Sequence, residues 1–266
     1  MRINTVIFTL LMISAWHWVS GQNYQLIASF EIKDTSFTTD PLGRIYTYNT
    51  AGDMTRYSPA GKVEQEFSVY DRGKVGYIDT TDPLQILMFY PDYGDVSILD
   101  AGFSENVTFT MAGAGYPMSE LICVSPREGY WLYDPGQRRL IKLNEQLNVV
   151  AESTFLDRVE KVKQDPKGLV DSGNWVVMWI PGLGLMVFDQ YGTYFKTIRT
   201  DRIQSYQVFD GRVLIFDGST VRRIGITDGI VENMKLPEGV EPEGIRLVEG
   251  RIVIRTDNTI KVFSYR

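Results

Sequence analysis

The sequence predicts an all-β fold: a six-bladed β-propeller of four-stranded blades, its ring closed by an N-terminal strand in the last blade. Three observations predict it. A strand start recurs six times after a turn: GRIYTY from Gly43, LQILMFY from Leu84, GYWLYD from Gly129, GNWVVMW from Gly173, GRVLIFD from Gly211 and GRIVIRT from Gly250. The steps are 41, 45, 44, 38 and 39 residues, and a period near forty with several short strands per unit is the mark of a propeller. Next, a second hairpin recurs along the chain, with apolar residues running into a polar turn residue in the first four units: Ser58, Asp100, Asn144 and Asp189. Third, the sixth unit stops after three strands, while a spare strand, Gln25 to Ile32, precedes the first unit.

The first unit shows how each element is justified. Thr35 to Thr39 reads as an inner strand, and Asp40-Pro41-Leu42-Gly43 as a turn with Pro and Gly where turn chemistry wants them. Arg44 to Tyr48 follows as a strand rich in β-branched and aromatic residues. Asn49 to Asp53 is a loop and Met54 to Tyr57 the third strand. Ser58-Pro59-Ala60-Gly61 turns the chain into Lys62 to Phe67, the outer strand. In the sixth unit Gly244 to Val248, Arg251 to Arg255 and Thr259 to Tyr265 give three strands. Pairing of the spare N-terminal strand with the last of them would close the ring and protect its edges. No Pro-, Ser- or charge-rich linker divides the chain, so residues 22–266 are expected to be one domain.

Residues 1–21 are expected to lie outside that domain, as a signal peptide. Arg2 gives a positive start, Ile3 to Val19 is almost wholly apolar, and Ser20-Gly21 supplies small residues before Gln22. No cysteine stands near that point for a lipid anchor, so a periplasmic or secreted location is expected. Without Arg2 the chain has 26 basic and 33 acidic residues, net −7. It has no basic stripe, which argues against nucleic acid as a partner. Stable membrane insertion is not expected either, since no later stretch approaches spanning length. Cys123, the single cysteine, sits in the apolar run LICVS and reads as a buried thiol. Packing, without disulfides, must hold the fold together.

The recurring strand starts and the apolar-apolar-[SDN]-x-x-G turns, spread over residues 25 to 266, resemble those of the six-bladed propellers of the NHL and YVTN-like superfamily, exported bacterial members included. The resemblance implies the fold and carries no particular chemistry. Propellers that resemble lactonases hold a divalent cation with Glu, Asn and Asp, but no matching Asn-rich set occurs here.

Histidine constrains the chemistry. The only one is His17, inside the apolar leader. Ser-His-Asp and Cys-His mechanisms, the usual zinc sites and the commonest general acid/base are thereby absent from residues 22–266. Neither a G-x-S-x-G elbow nor a P-loop is present, and no cofactor is expected. The carboxylates nearest the inner strand ends are Asp40, Asp79, Asp82, Asp171, Asp210 and Glu249. In turns, Asp ordinarily bonds its own backbone. The small Gly-rich run Ala112 to Pro117 reads as a connection between blades. The mixed-charge run Asp157 to Lys167 reads as a long solvated loop.

One face of the ring should carry the loops between the second and third strands of each blade and those between blades. Several hold large side chains where a loop should be polar: Tyr90-Pro91-Asp92-Tyr93, Tyr116-Pro117-Met118 and Trp179-Ile180-Pro181-Gly182-Leu183. Arg138 joins them from the loop Pro135 to Arg139. Aromatic residues, Met and Arg are the types enriched at interfaces. Tyr93, Tyr116, Trp179, Leu183 and Arg138 are therefore the expected binding residues of a non-enzymatic, scaffold-like propeller with a protein or peptide partner in the cell envelope, monomeric outside its complex. Those side chains could instead fold back to cap the channel. Two other functions stay open: a cation-dependent hydrolase or lactonase using channel carboxylates, and a carbohydrate binder stacking sugars on Trp179 and Tyr93.

Overall fold

The computed structural model describes residues 23–34, 36–69 and 72–265. The expected signal segment, 1–21, and Thr35, expected to open the first inner strand, lie outside the described residues. So do Tyr70 and Asp71.

Strand β1 (Tyr24–Glu31) comes first. Blade 1 is β2 (Ser36–Thr39), β3 (Ile45–Tyr48), β4 (Met54–Tyr57) and β5 (Val63–Phe67). Blade 2 is β6 (Tyr77–Asp82), β7 (Gln85–Tyr90), β8 (Asp95–Leu99) and β9 (Glu105–Thr110). Blade 3 is β10 (Ile122–Val124), β11 (Tyr130–Asp134), β12 (Arg139–Leu143) and β13 (Val149–Glu152). A short helix, α1 (Leu156–Val159), leads to blade 4: β14 (Gly168–Asp171), β15 (Trp175–Ile180), β16 (Gly184–Asp189) and β17 (Tyr194–Arg199). Blade 5 is β18 (Ser205–Phe209), β19 (Arg212–Phe216), β20 (Val221–Gly225) and β21 (Val231–Met234). Blade 6 is β22 (Gly244–Val248), β23 (Arg251–Thr256) and β24 (Thr259–Tyr265), completed by β1.

Blades 1 to 5 are four-stranded antiparallel meanders and blade 6 is a three-stranded one completed by β1, as the sequence predicts. The closing strand is β1, which pairs antiparallel with β24 from Tyr24↔Tyr265 to Glu31↔Thr259. The second and third strands of each blade are its most buried. In β7, Ile86 to Tyr90 are all buried, and in β16 so are Leu185 to Phe188. Both faces of these strands press on neighbouring blades, which is why they read as continuous apolar runs rather than alternating ones. The core is accordingly a set of clusters between blades. One joins Trp131 of blade 3 to Met178 and Phe188 of blade 4, and another joins Leu214 and Phe216 of blade 5 to Ile252 and Phe263 of blade 6.

The recurring polar residue before the outer strand has a local physical role. Asn144 Oδ1 accepts the backbone N–H groups of Gln146 (3.1 Å) and Asn148 (2.9 Å). Asp100 does the same for Gly102 and Ser104, and Asp189 for Tyr191 and Thr193. Three residues after the polar one, the chain takes a positive φ, at Gly61, Phe103, Leu147 and Gly192. A one-residue register shift follows in all four of those hairpins. This is the three-residue hairpin loop closed by a bulge.

The segment Asp157 to Lys167 is largely exposed, as expected, and is pinned at a few points. Leu156 at its head is fully buried and Val162 nearly so. Its charges are used locally. Arg138 pairs with Asp157 at 2.9 Å and Asp165 at 3.6 Å, and Arg199 pairs with Glu160 at 2.9 Å.

Candidate functional site

The six inner strands, β2, β6, β10, β14, β18 and β22, surround a central channel. Each carries an inner edge of backbone N–H and C=O groups that no further strand covers. Side chains from neighbouring blades satisfy part of this edge. The Tyr77 hydroxyl donates to the Ile122 carbonyl and accepts the Ile122 N–H, and Asp79 Oδ2 accepts the Val124 N–H at 2.9 Å. Gln207 serves blade 6 in the same way, donating to the Leu247 carbonyl at 2.8 Å and accepting its N–H at 2.7 Å. Thr80 Oγ1 donates to the Thr39 carbonyl at 3.2 Å.

Within this ring lies a cavity of about 420 Å³. It runs along the inner strands from Gly76, Lys167 and Ile203 at their starts to Pro41, Thr81 and Val248 at their ends. Its volume is in the range of small-molecule sites. Tyr48, Trp179, Tyr206 and Arg246 project into its lining together with Tyr77 and Asp79. Trp179 meets Tyr206 edge-on, ring centroids 6.5 Å apart.

Arg246 is the only basic residue in the six inner strands. Its Nη1 donates to the Ile245 carbonyl at 3.0 Å, and its guanidinium stands 5.7 Å from the centre of the Phe37 ring. Among the described residues no carboxylate lies within ion-pair distance of it. The side chain keeps some accessible surface because it faces the channel. Enough protein surrounds it, even so, that desolvation pulls its pKa below the ordinary value, against the pull of Tyr48 and Tyr206. Tyr206 is pushed well up, first by burial, and the Arg246 charge opposes that push. Its hydroxyl is buried without a hydrogen-bond partner. Burial also raises Tyr77, Tyr48 and Cys123. Cys123 is fully buried in β10, where its high pKa keeps it an inert thiol.

The acidic residues considered from the sequence are largely engaged in local bonds. Asp40 is held by Arg44 Nε at 2.5 Å, the Tyr46 hydroxyl at 2.9 Å and the N–H groups of Leu42 and Arg44. Asp82 accepts from Leu84 N–H and Asp171 from Gly173 N–H, as turn carboxylates do. Asp79 belongs to β6 rather than to the turn, and bonds Thr81 N–H as well as blade 3.

The expected binding residues all stand at or beside the loops of one face, on separate supports. Tyr93, between β7 and β8, is 69% exposed. Tyr116, between β9 and β10, is half-buried against the cluster of blades 2 and 3. With Met118 it borders an open hollow completed by Pro135 to Gln137. Leu183 packs on the cluster of blades 3 and 4. Trp179 packs on that of blades 4 and 5, where it lines the channel. Arg138 is engaged with Asp157, Asp165 and the Val162 carbonyl. Tyr90 and Ile180, flagged in the same runs, are fully buried strand residues. Sequence reasoning missed Arg246, Tyr206, Tyr77 and Tyr48. The signal available was a lone arginine in an inner strand, inside the run Gly244 to Val248.

No family model matches the chain, and no curated protein matches its sequence. Solved structures do. A virginiamycin B lyase from Staphylococcus aureus superposes with a TM-score of 0.59 at 12% identity, covering 91% of this chain and 99% of that one. A structural genomics protein of unknown function from Bacteroides thetaiotaomicron VPI-5482 gives 0.60 at 13% identity, covering 92% and 76%. BamB from Moraxella catarrhalis gives 0.51 at 10% identity, covering 91% and 100%. At such identities the likeness concerns the fold. Blade count, strand order and ring closure make the chain a six-bladed β-propeller, and the likeness to these neighbours is one of propeller fold.

Proposed function

We propose that this chain is an exported, non-enzymatic propeller that binds a protein or peptide partner through the face carrying the loops around Tyr93 and Tyr116. The observation that carries the reading is the hollow between the Ala114–Ser119 and Asp134–Gln137 segments. It is open, about 350 Å³, and bordered by Tyr116, Pro117 and by Met118 at 72% exposure. A half-buried Tyr and an exposed Met at the border of a concavity, with the exposed Tyr93 on another loop of that face, are side chains of the kind interface anchors use. In this reading Tyr93 and Tyr116 are the contacting anchors and Trp179 marks the channel mouth. Leu183 and Arg138 hold the neighbouring loops in place. Export rests on the leader at residues 1–21. No helix among the described residues is long and apolar enough to cross a membrane.

A lyase reading has less support. A histidine variant of the Staphylococcus aureus lyase is described as catalytically inactive, and residues 22–266 here contain no histidine. The test is recovery of a partner from an envelope fraction with the purified domain as bait. Tyr93→Ala combined with Tyr116→Ala should abolish recovery while the melting temperature stays within a few degrees of the parent. Undiminished recovery by the double variant would refute the loop-face assignment.

A further inference from the structure

We propose that the central channel is a binding site for an organic carboxylate with an apolar body, held by the Arg246 guanidinium and the Tyr206 hydroxyl. This site is distinct from the loop-face hollow, and the two stand or fall separately.

Arg246 presents five N–H donors, of which one bonds its own chain neighbour, the Ile245 carbonyl. A largely desolvated guanidinium without a carboxylate partner is costly, and folds normally provide a counter-charge. Several polar side chains of the inner strands are bonded across to the next blade, as Tyr77, Asp79 and Gln207 are, while Thr39 Oγ1 is buried without a partner. Arg246 departs from that pattern. Tyr206 departs from it too, as its buried hydroxyl has no partner.

Gly168 gives the second, independent observation. It opens β14 and lines the same cavity. Its φ is not in the left-handed region, so backbone conformation does not demand glycine there. Space does: a Cβ at this position would stand 2.7 Å from the Tyr206 hydroxyl oxygen. The residue keeps room for a hydroxyl that bonds nothing in the protein.

The chemistry of the walls selects the ligand. A planar guanidinium matches a carboxylate, and the Tyr206 hydroxyl lies within electrostatic reach of it. Asp79 and Asp40 line the same cavity, Asp40 already paired with Arg44, and Arg246 is the one deep cation, with Lys167 at an end. This balance disfavours a phosphate dianion. Leu121, Leu169, Trp179, Ile203 and Phe209 form the apolar remainder. A free small carboxylate and the C-terminus of a peptide share this chemistry.

The experiment uses the purified domain in titration calorimetry and thermal melts. The probes are 4-phenylbutyrate, 4-phenylbutyramide, N-acetyl-Leu-Phe with a free or an amidated C-terminus, and inorganic phosphate. At least one free carboxylate should bind and raise the melting temperature with concentration, and its amide and phosphate should not. Binding of 4-phenylbutyrate identifies a small acid as a sufficient ligand. Binding of the free peptide alone identifies a peptide C-terminus. Arg246→Gln should weaken the bound carboxylate about tenfold or more. Tyr206→Phe and Gly168→Ala, each a change of a single atom or methyl, should weaken it by a smaller factor and keep the test alive if the arginine variant misfolds. Arg246→Met should melt no lower than the parent, because it removes an uncompensated charge. Tyr93→Ala with Tyr116→Ala should leave carboxylate affinity unchanged. The proposal is overturned if neither carboxylate binds at millimolar concentration, if amides or phosphate bind as well as the acids, or if Arg246→Gln binds like the parent.

Discussion

Buried carboxylates of the inner ring give this protein a pH response opposite to that of its surface turns. Burial raises Asp79 above the ordinary aspartate value of 3.8, and it raises Asp171 likewise. Such a group holds its proton in the folded state after the unfolded chain has lost it. Its contribution to stability is therefore largest at low pH and is lost as pH rises from the unfolded pKa through the folded one. Asp217, in the exposed turn after β19, is pulled below its ordinary value, first by the Thr220 N–H. Its contribution has the reverse sign, present above the unfolded pKa and lost as pH falls through the folded one. Denaturant melts of the parent and of Asp79→Asn from pH 7 to pH 4 should show the gap between them shifting in the parent's favour as pH falls. For Asp217→Asn the gap should hold over that range and shift against the parent only when the melts are extended below the ordinary aspartate pKa. A gap independent of pH at Asp79 would mean that its carboxylate is as well solvated folded as unfolded. None of this was visible in the sequence, where Asp79 and Asp171 looked like ordinary turn residues. A turn aspartate and a channel aspartate differ only in what the next blade places over them.

Hairpins are the scale at which the sequence was most legible. The third strand of blade 1, Met54–Tyr57, and the strands Gly244–Val248 and Thr259–Tyr265 have the bounds their residues suggest. The polar turn residue could be recognised because its task is local: Oδ1 bonds N–H groups two and four residues ahead. Asn144→Ala should cost about 1 kcal/mol, from two exposed hydrogen bonds partly replaced by water. That is a fall of roughly 2–4 °C in melting temperature for a domain of this size. Gly192→Ala should cost more, on the order of 1–3 kcal/mol. There φ is +84°, and a Cβ would come within 2.9 Å of the Trp131 ring. Equal effects of the two substitutions in a thermal melt would show that the bulge position carries no strain. The channel was illegible for the converse reason. Tyr48 and Arg246 line one cavity although nearly the whole ring separates them in sequence. Inner strands such as Ser205–Phe209 mix polar and apolar residues without clean alternation, because one edge meets the channel and both faces meet neighbouring blades.

At the scale of the molecule, stability depends on closing a ring whose first and last strands belong to one blade. The six blades contact chiefly their neighbours, as units of a repeat array do, and a break at one seam frees two surfaces at once. β1 covers that seam. Its Phe30 stacks on Tyr57 of blade 1 with centroids 4.8 Å apart, and Tyr24 meets Phe263 of blade 6 at 6.3 Å. Leu26 and Ile27 of the same strand stay about half exposed, as an outermost strand's do. Removal of residues 23–33 would uncover the whole edge of β24, from Thr259 to Tyr265, and the apolar surface beneath Phe30. An uncovered edge of that length is a template for pairing with other chains. The truncated domain should therefore aggregate or melt without a cooperative transition, while addition of a synthetic peptide of residues 23–33 should restore part of the cooperativity by strand addition. Light scattering and thermal melts at matched concentration check this. A truncated domain that stays monodisperse and melts at the parent's temperature would show that the ring is held by its inter-blade clusters alone, with β1 a dispensable cover.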